Sequence, residues 1–366
     1  MRRPAAPGAP VVVKVGSSSL APGSGGLDPE AVRRVVGQID ELWNAGHPAV
    51  LVTSGAVAAG LPALGLAERP VDLPSLQVAA AVGQGRLMEM YIREFGNRNR
   101  VAGQVLLTRD VLARRGQYLH AREALDRMLA LGVVPVVNEN DTVVVDELKF
   151  GDNDRLAAIV SHLVSAGMLV ILTDTEGIYS DDPRLVDDAA LLSAVLHTDE
   201  VLDELWKRTG AGSLGSGGVA TKVAAARMAA WSGIPTVIAD AAELTIATDA
   251  VAGADVGTWV EPRESRLTAR KLWIAFGLPS EGSVVVDAGA AEALEARGKS
   301  LLPAGVVTVT GDFDRGVAVE VVLEDGSVIG KGRARLSAQE LAASLGRHSS
   351  EAGGVAIHRD DLVILR

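Results

Sequence analysis

The stretch over residues 133–156, VVPVVNENDTVVVDELKFGDNDRL, carries the reading of the fold. Val133, Val134, Val136 and Val137 form an apolar run that reads as a buried strand, and it ends abruptly in Asn138-Glu139-Asn140-Asp141. A second polar knot, Gly151-Asp152-Asn153-Asp154, precedes LAAIV at 156–160, which opens a helix. Carboxamides and carboxylates held against buried elements cost free energy unless they meet a partner. Two such clusters so close in sequence point to a polar site. The plainer alternative is two solvated loops with an Asp/Asn helix cap.

The same pattern extends outward on both sides. VVVKV at 11–15 reads as a strand, with a helix following over 29–44. AVLVT at 49–53 runs into Ser54-Gly55-Ala56 and an Ala-rich helix, and strands recur at 168–172 and 235–239. Strands alternating with helices imply an α/β fold around a mainly parallel sheet covered on both faces. Ligands bind such sheets outside the carboxyl ends of the strands. Lys14, Thr53-Ser54, Asn138 to Asp141 and Thr173-Asp174 all sit at those ends. No internal repeat stands out.

Composition narrows the chemistry. The 366 residues are 48% hydrophobic, which is enough for two domains with a substantial core. Aromatics at 3% argue against stacking platforms for single-stranded nucleic acid, and a formal charge of −11 argues against gripping phosphate backbones. The absence of cysteine removes disulfides, thiolate nucleophiles and zinc-thiolate sites together. His47, His120, His162 and His197 lie scattered, without metal-ligand spacing. No apolar run reaches the roughly 18 residues of a membrane span, and residues 1–10 lack an apolar signal core. Cytoplasmic residence is the expectation.

Three loops invite readings as phosphate sites. Lys14-Val15-Gly16-Ser17-Ser18-Ser19 closes the first strand with a Gly/Ser loop whose N–H groups suit phosphate oxygens, or which is simply a flexible turn. Gly215-x-Gly217-x-x-Ala220 fits a loose dinucleotide pattern with Asp240 ending a later strand, but residues 202–208 before it are polar with helical spacing, not a strand. Gly298-Lys299-Ser300 mimics the end of a Walker A motif, yet Ala293 stands where a glycine is needed, so a helix ending at Gly298 is the better account. What remains is a glycine loop opening a helix with Lys222 in its first turn. A cation there opposes the helix dipole, and an anionic ligand would reverse that penalty.

With these pieces assembled, the chain resembles the glutamate-phosphorylating branch of the amino acid kinase family. The resemblance rests on VVKVGSS at 12–18, VTSGAVAAG at 52–60, AAVGQGRLM at 80–88, VVPVVNENDTV at 133–143, GDNDRLAA at 151–158, LTDTEGIYSDDPR at 172–184 and GSGGVATK at 215–222. The VTSGA and GIYSDDPR types recur across the wider family, whereas NEND followed by GDND and GGVATK is specific to this branch. SLLPAGV at 300–306 and VAIHRDDLVIL at 355–365 resemble a PUA domain.

A charged stretch around Pro262–Arg266 and Arg270-Lys271, followed by Gly277-Leu278-Pro279-Ser280, reads as a linker at 263–280, and the short strands with turn signals after it read as a small β-rich second domain over 281–366. The resemblance implies a three-layer sandwich over residues 1–262 and a PUA-like character for that second domain. It implies transfer of the ATP γ-phosphoryl group to the γ-carboxylate of L-glutamate, with Mg²⁺ bridging ATP oxygens. Lys14 and Lys222 would flank the γ-phosphate, with Asp154 holding them in place. Ser54, Asp141 and Asn153 would grip glutamate, with Asn138 and Asp152 near; Asp141 suits the ammonium, and Asn153 can orient a carboxylate. Lys14, Thr173, Asp174 and the segment Ser216, Gly217, Gly218, Val219, Ala220, Thr221 and Lys222 would hold ATP. A direct protein ligand to Mg²⁺ is not singled out.

Proline as feedback inhibitor and a homo-oligomer, dimer or tetramer, belong to the same expectation. The nucleophile is a carboxylate already ionised at neutral pH, so no general base is required, and catalysis falls to positioning and cations. The tail from Glu281 onward holds thirteen Asp/Glu against nine Lys/Arg, which disfavours RNA as its partner.

Overall fold

The computed structural model describes residues 2–21, 26–108, 111, 114–143, 152–183, 185–186, 188–197, 199, 218–264, 266–346 and 354–365. The chain divides into two compact units, residues 1–266 and 267–366.

The first unit is built on an eight-stranded sheet in the order β3-β4-β2-β1-β5-β7-β8-β6. Its strands are β1 (Val11–Val15), β2 (Ala49–Val52), β3 (Val101–Leu107), β4 (Val133–Glu139), β5 (Met168–Thr173), β6 (Ala194–Leu196), β7 (Thr236–Asp240) and β8 (Thr258–Glu261). Among the described strands of this sheet, only the β7–β8 pair is antiparallel. Side chains alternate between the faces. Val11, Val13 and Val15 enter one apolar core with α2 (Pro29–Asn44), α4 (Leu73–Gly96) and α8 (Ile246–Val251). Helices α6 (Asp152–Leu163) and α7 (Val219–Trp231) pack together over the sheet. Between β1 and α2 lies the single turn α1 (Ser17–Leu20), and α5 (Arg115–Ala130) leads into β4. This is the α/β sandwich expected from the strand–helix alternation.

Helix starts follow their caps. Asp28 accepts from the Glu30 N–H with Pro29 in the first helical position, and Asp72 accepts from the Ser75 N–H at 2.9 Å. The short α3 (Ala56–Gly60) crosses α4 backbone to backbone. A β-carbon on Gly83 would stand 1.7 Å from the Ala56 carbonyl oxygen, and one on Gly60 2.0 Å from that of Ala79. Gly60 and Gly83, one in SGAVAAG and one in AVGQG, are therefore the condition for this contact. It brings α4 up against the turn at Ser54-Gly55, where Gly55 takes φ +96°.

Two sequence expectations are corrected. β4 runs on through Asn138 and Glu139, because β3 supplies a parallel partner for both, Leu106 opposite Asn138 and Leu107 opposite Glu139. The start of the NEND cluster is thus sheet, not loop. The 263–280 stretch is not a linker, since the division falls after Arg266 and the following residues are built into the second unit. Thr268 caps α9 (Ala269–Leu272), which continues as a π-helical turn over Trp273–Gly277. Arg270 Nε donates to Asp361 Oδ1 at 2.8 Å, and Lys331 Nζ donates to the Leu278 carbonyl. Gly277-Leu278-Pro279 is a helix stop.

The second unit is a five-stranded sheet in the order β10-β9-β11-β12-β13. It comprises β9 (Ser280–Val286), β10 (Val306–Thr310), β11 (Ala318–Leu323), β12 (Val328–Ala334) and β13 (Ile357–Ile364). Helices α10 (Ala288–Glu295) and α11 (Ala338–Ala343) accompany it, the second opened by a Ser337/Glu340 capping box. Its own apolar core includes Val284, Leu294, Val319, Ile329 and Leu362. Gly298 takes φ +56° beyond α10, so the Walker A mimic is a turn following a helix.

Candidate active site

Strand alternation sends Lys14 to the face of the sheet opposite Val13 and Val15, where α6 packs on β1. There its Nζ pairs with Asp154 Oδ1 at 2.5 Å, the two side chains being 3% and 0% exposed. Asp154 lies in the first turn of α6. Thr221, in the first turn of α7, donates its hydroxyl to Asp154 Oδ2 at 2.7 Å. Burial by itself raises the Asp154 carboxyl. The charges of Lys14 and Lys222 and the hydrogen bonds from Lys14 and Thr221 outweigh it and leave the pKa below the ordinary value. Lys222 follows Thr221 on α7. Burial lowers its pKa, Asp154 and Asp174 oppose that, and Lys14 adds to it. The charges of two ammonium groups thus act on one buried carboxylate, a cationic excess that an anion completes. Gly16 stands over this pair, and a β-carbon there would lie 3.4 Å from Lys14 Nζ.

The NEND and GDND clusters meet through their amides. Asn153 Nδ2 donates to Ser54 Oγ and to Asn138 Oδ1, both at 3.1 Å, and Asn138 Nδ2 donates to Gln84 Oε1 at 2.7 Å. Ser54 accepts through its oxygen, so its hydroxyl proton is not used in this bond. Asn153 is different from expectation. Both its N–H protons are committed, whereas its buried Oδ1 has no hydrogen-bond partner. It presents an acceptor to the site and has no donor left to orient a carboxylate. Beneath Ser54, the buried Thr53 hydroxyl and the Tyr91 hydroxyl of α4 are 2.7 Å apart.

Asp141 opens a single 3-10 turn (Asp141–Val143) after β4. Its charge acts on the half-buried Arg69, whose pKa burial lowers and Asp141 raises. Thr173 ends β5, and its hydroxyl donates to Asp174 Oδ1 at 3.1 Å. A cavity of about 280 Å³ beside them is lined by Ser18, Ser19, Arg34, Thr173, Asp174 and Asp240. Gly218 is the N-cap of α7 with Val219 and Ala220 as its first residues, whereas Ser216 and Gly217 lie outside the described residues. Asp152 begins α6, and its side chain is likewise outside the described set. Among the described residues no group of three or more acidic or imidazole side chains gathers to hold a metal. No described helix is long and apolar enough to cross a membrane.

Gln84, Arg69 and Tyr91 were not singled out by sequence reasoning. Gln84 sits within AAVGQGRLM, directly after Gly83, the glycine that permits the close helix contact. Nothing in the sequence around Arg69 marks it.

The amino acid kinase family model matches residues 9–240 and the PUA domain model matches residues 282–354. The protein named glutamate 5-kinase from Pelobacter propionicus is 45% identical, over 97% of this chain and 97% of its own. The glutamate 5-kinase of Frankia casuarinae is 46% identical over 97% and 96%. Among solved structures, UMP kinase from Bacillus anthracis aligns with 72% of this chain and 99% of its own, at a TM-score of 0.48 and 13% identity.

Proposed function

The chain belongs to the amino acid kinase family, among its glutamate 5-kinases, and we propose from that membership and from the site's geometry how its residues divide the work. The reaction is phosphorylation of the γ-carboxylate of L-glutamate by ATP, the first step of proline biosynthesis. The observation that carries the assignment of roles is the buried Lys14–Asp154 pair with the charge of Lys222 acting on the same carboxylate.

The chemical difficulty is one anion attacking another while charge spreads over the transferring group. Lys14 and Lys222 neutralise that charge, and Asp154 fixes both ammonium groups before substrate arrives, so little reorganisation remains at the moment of transfer. Asp154 is held ionised with both oxygens engaged, so it orients and does not abstract a proton. The glutamate nucleophile needs no base. Ser54 donates to a substrate carboxylate, with Asp141 and the Asn153–Asn138 pair on the same side of the sheet's carboxyl edge.

ATP is held by Thr173, Asp174 and the start of α7. Magnesium in such reactions keeps mostly water and phosphate oxygens and takes only one or two protein carboxylates. Asp174, an exposed hard-oxygen donor whose charge reaches Lys222, fits that need and would hold the ion. When bound, the ion neutralises phosphate charge.

Proline as feedback inhibitor, a homo-oligomeric state and cytoplasmic residence complete the reading, and the acidic second unit serves regulation or assembly in preference to RNA. The test is hydroxamate trapping of acyl phosphate from ATP plus glutamate, with aspartate, acetylglutamate and UMP as controls. Glutamate alone is expected to give product, and equal turnover of a control overturns the reading.

A further inference from the structure

Gln84, Asn138 and Asn153 form a chain of three carboxamides in which donation runs one way. Asn153 Nδ2 gives to Asn138 Oδ1 at 3.1 Å, and Asn138 Nδ2 gives to Gln84 Oε1 at 2.7 Å. The chain is fixed in place at its centre, since Asn138 is 1% exposed and its backbone is locked in β4 opposite Leu106. At the substrate end the direction matters. Asn153 spends its second proton on Ser54 Oγ, and its buried Oδ1 is left without a hydrogen-bond partner. A buried acceptor in that condition is costly until a donor reaches it.

L-glutamate offers two carboxylates, which only accept, and one ammonium, which only donates. We propose that Asn153 receives the substrate's ammonium on Oδ1, and that Gln84 is the positioning residue that sets this polarity by accepting at the head of the relay. The proposal rests on the glutamate reading above. A primary amide presents oxygen on one side and two N–H groups on the other. If Gln84 offered its N–H₂ to Asn138, Asn138 would turn its oxygen outward and its N–H₂ toward Asn153. Asn153 would then turn its own oxygen inward and offer N–H groups to the substrate. A site of that polarity favours a further carboxylate oxygen and loses its match to an amino group. The direction of the relay therefore selects an amino acid over the corresponding dicarboxylic acid.

The experiment compares L-glutamate with glutarate, which lacks only the amino group, as phosphoryl acceptors of the full-length enzyme. Gln84→Met removes the acceptor at similar length, and Gln84→Glu keeps an acceptor that cannot donate at neutral pH. Gln84→Met is expected to lower the glutamate-to-glutarate ratio of kcat/KM by roughly tenfold or more, through a raised glutamate KM, with ATP KM unchanged. Gln84→Glu is expected to bring the ratio back to within about threefold of wild type. An unchanged ratio in Gln84→Met overturns the proposal, and so does a Gln84→Glu enzyme that discriminates no better than Gln84→Met. Should Gln84→Met fail to fold, Gln84→Glu decides alone, since loss of discrimination there contradicts an acceptor role. Wild-type enzyme that forms no acyl phosphate from glutamate would instead sink the functional reading itself.

Discussion

Lys14 and Asp154, 140 positions apart in sequence, form an ion pair at 2.5 Å with both side chains almost wholly withdrawn from water. Withdrawing two charges costs several kcal/mol per ion, and attraction repays it only with good geometry and further hydrogen bonds. Thr221 supplies one of those bonds. Asp154→Ala leaves two ammonium groups without the carboxylate on which their charges act. It is expected to abolish turnover and to destabilise the fold by roughly 3–5 kcal/mol, read from the urea midpoint. A variant as stable as wild type would remove Asp154 from this role.

Lys222 matters most as charge develops on the transferring phosphoryl group. Lys222→Ala should lower kcat by roughly a hundredfold, about 3 kcal/mol, with little change in glutamate KM. Steady-state kinetics against both substrates separates the two outcomes, and a kcat within about threefold of wild type would exclude the lysine from transition-state stabilisation.

The same lysine gives a pH dependence. Burial, with Lys14 adding, lowers its pKa from 10.5 despite Asp154 and Asp174. Between the folded value and 10.5 the unfolded chain holds more protons than the native one. Lys222 therefore opposes folding in full below the lowered value, and that burden is relieved as pH rises through the window. Activity moves the other way, because the deprotonated amine cannot neutralise phosphate. The kcat/KM for ATP should fall on an alkaline limb below 10.5, which Lys222→Arg should abolish. Calorimetry in two buffers should show proton uptake on ATP binding along that limb, and binding without uptake would contradict the assignment.

Much of this architecture was legible because local signals agreed with the fold. VVVKV became β1 and the Pro29–Asn44 helix kept its expected ends, where an apolar run or an Asp-Pro cap decides the boundary alone. The carboxyl-edge placement of Lys14, Ser54, Asn138 and Thr173 was also readable, since parallel strands expose their ends to ligand. What escaped were effects of tertiary contact. α4 buries Ala79, Ala80 and Gly83 and leaves Val78, Val82 and Ile92 exposed, so its apolar pattern blurs. Gln84 looks like any helical glutamine until Asn138 is seen beside it. The second unit's start was misplaced because Arg270 finds Asp361 ninety-one positions away.

The α3–α4 crossing predicts a coupling between packing and substrate affinity. A methyl at residue 83 would collide with the Ala56 backbone oxygen, which no side-chain rotation relieves. Gly83→Ala should push α3 and the adjoining Ser54 turn away, lower Tm, and raise glutamate KM while ATP KM holds. Overpacking of this kind typically costs about 1–3 kcal/mol. Equal losses for both substrates would show that the crossing supports the whole site and not the Ser54 side.

Truncation after Arg266 tests the division of labour between the units. Every residue assigned to chemistry lies before that point, and the first unit's sheet closes its own core with α2, α4 and α8. The cut should fall there and not at Gly277, because α9 and the turn after it carry Arg270 and Leu278 into contacts with Asp361 and Lys331. A 1–266 fragment is expected to fold and form γ-glutamyl phosphate, with changes confined to proline inhibition, association state or stability. A 1–277 fragment should expose Leu272 and Ile274, both fully buried in the intact chain, and be the less soluble of the two. Turnover and sedimentation on both fragments read the comparison. A folded 1–266 fragment without kinase activity would show that the second unit completes the active site, and the assignment of catalysis to residues 1–266 would fall.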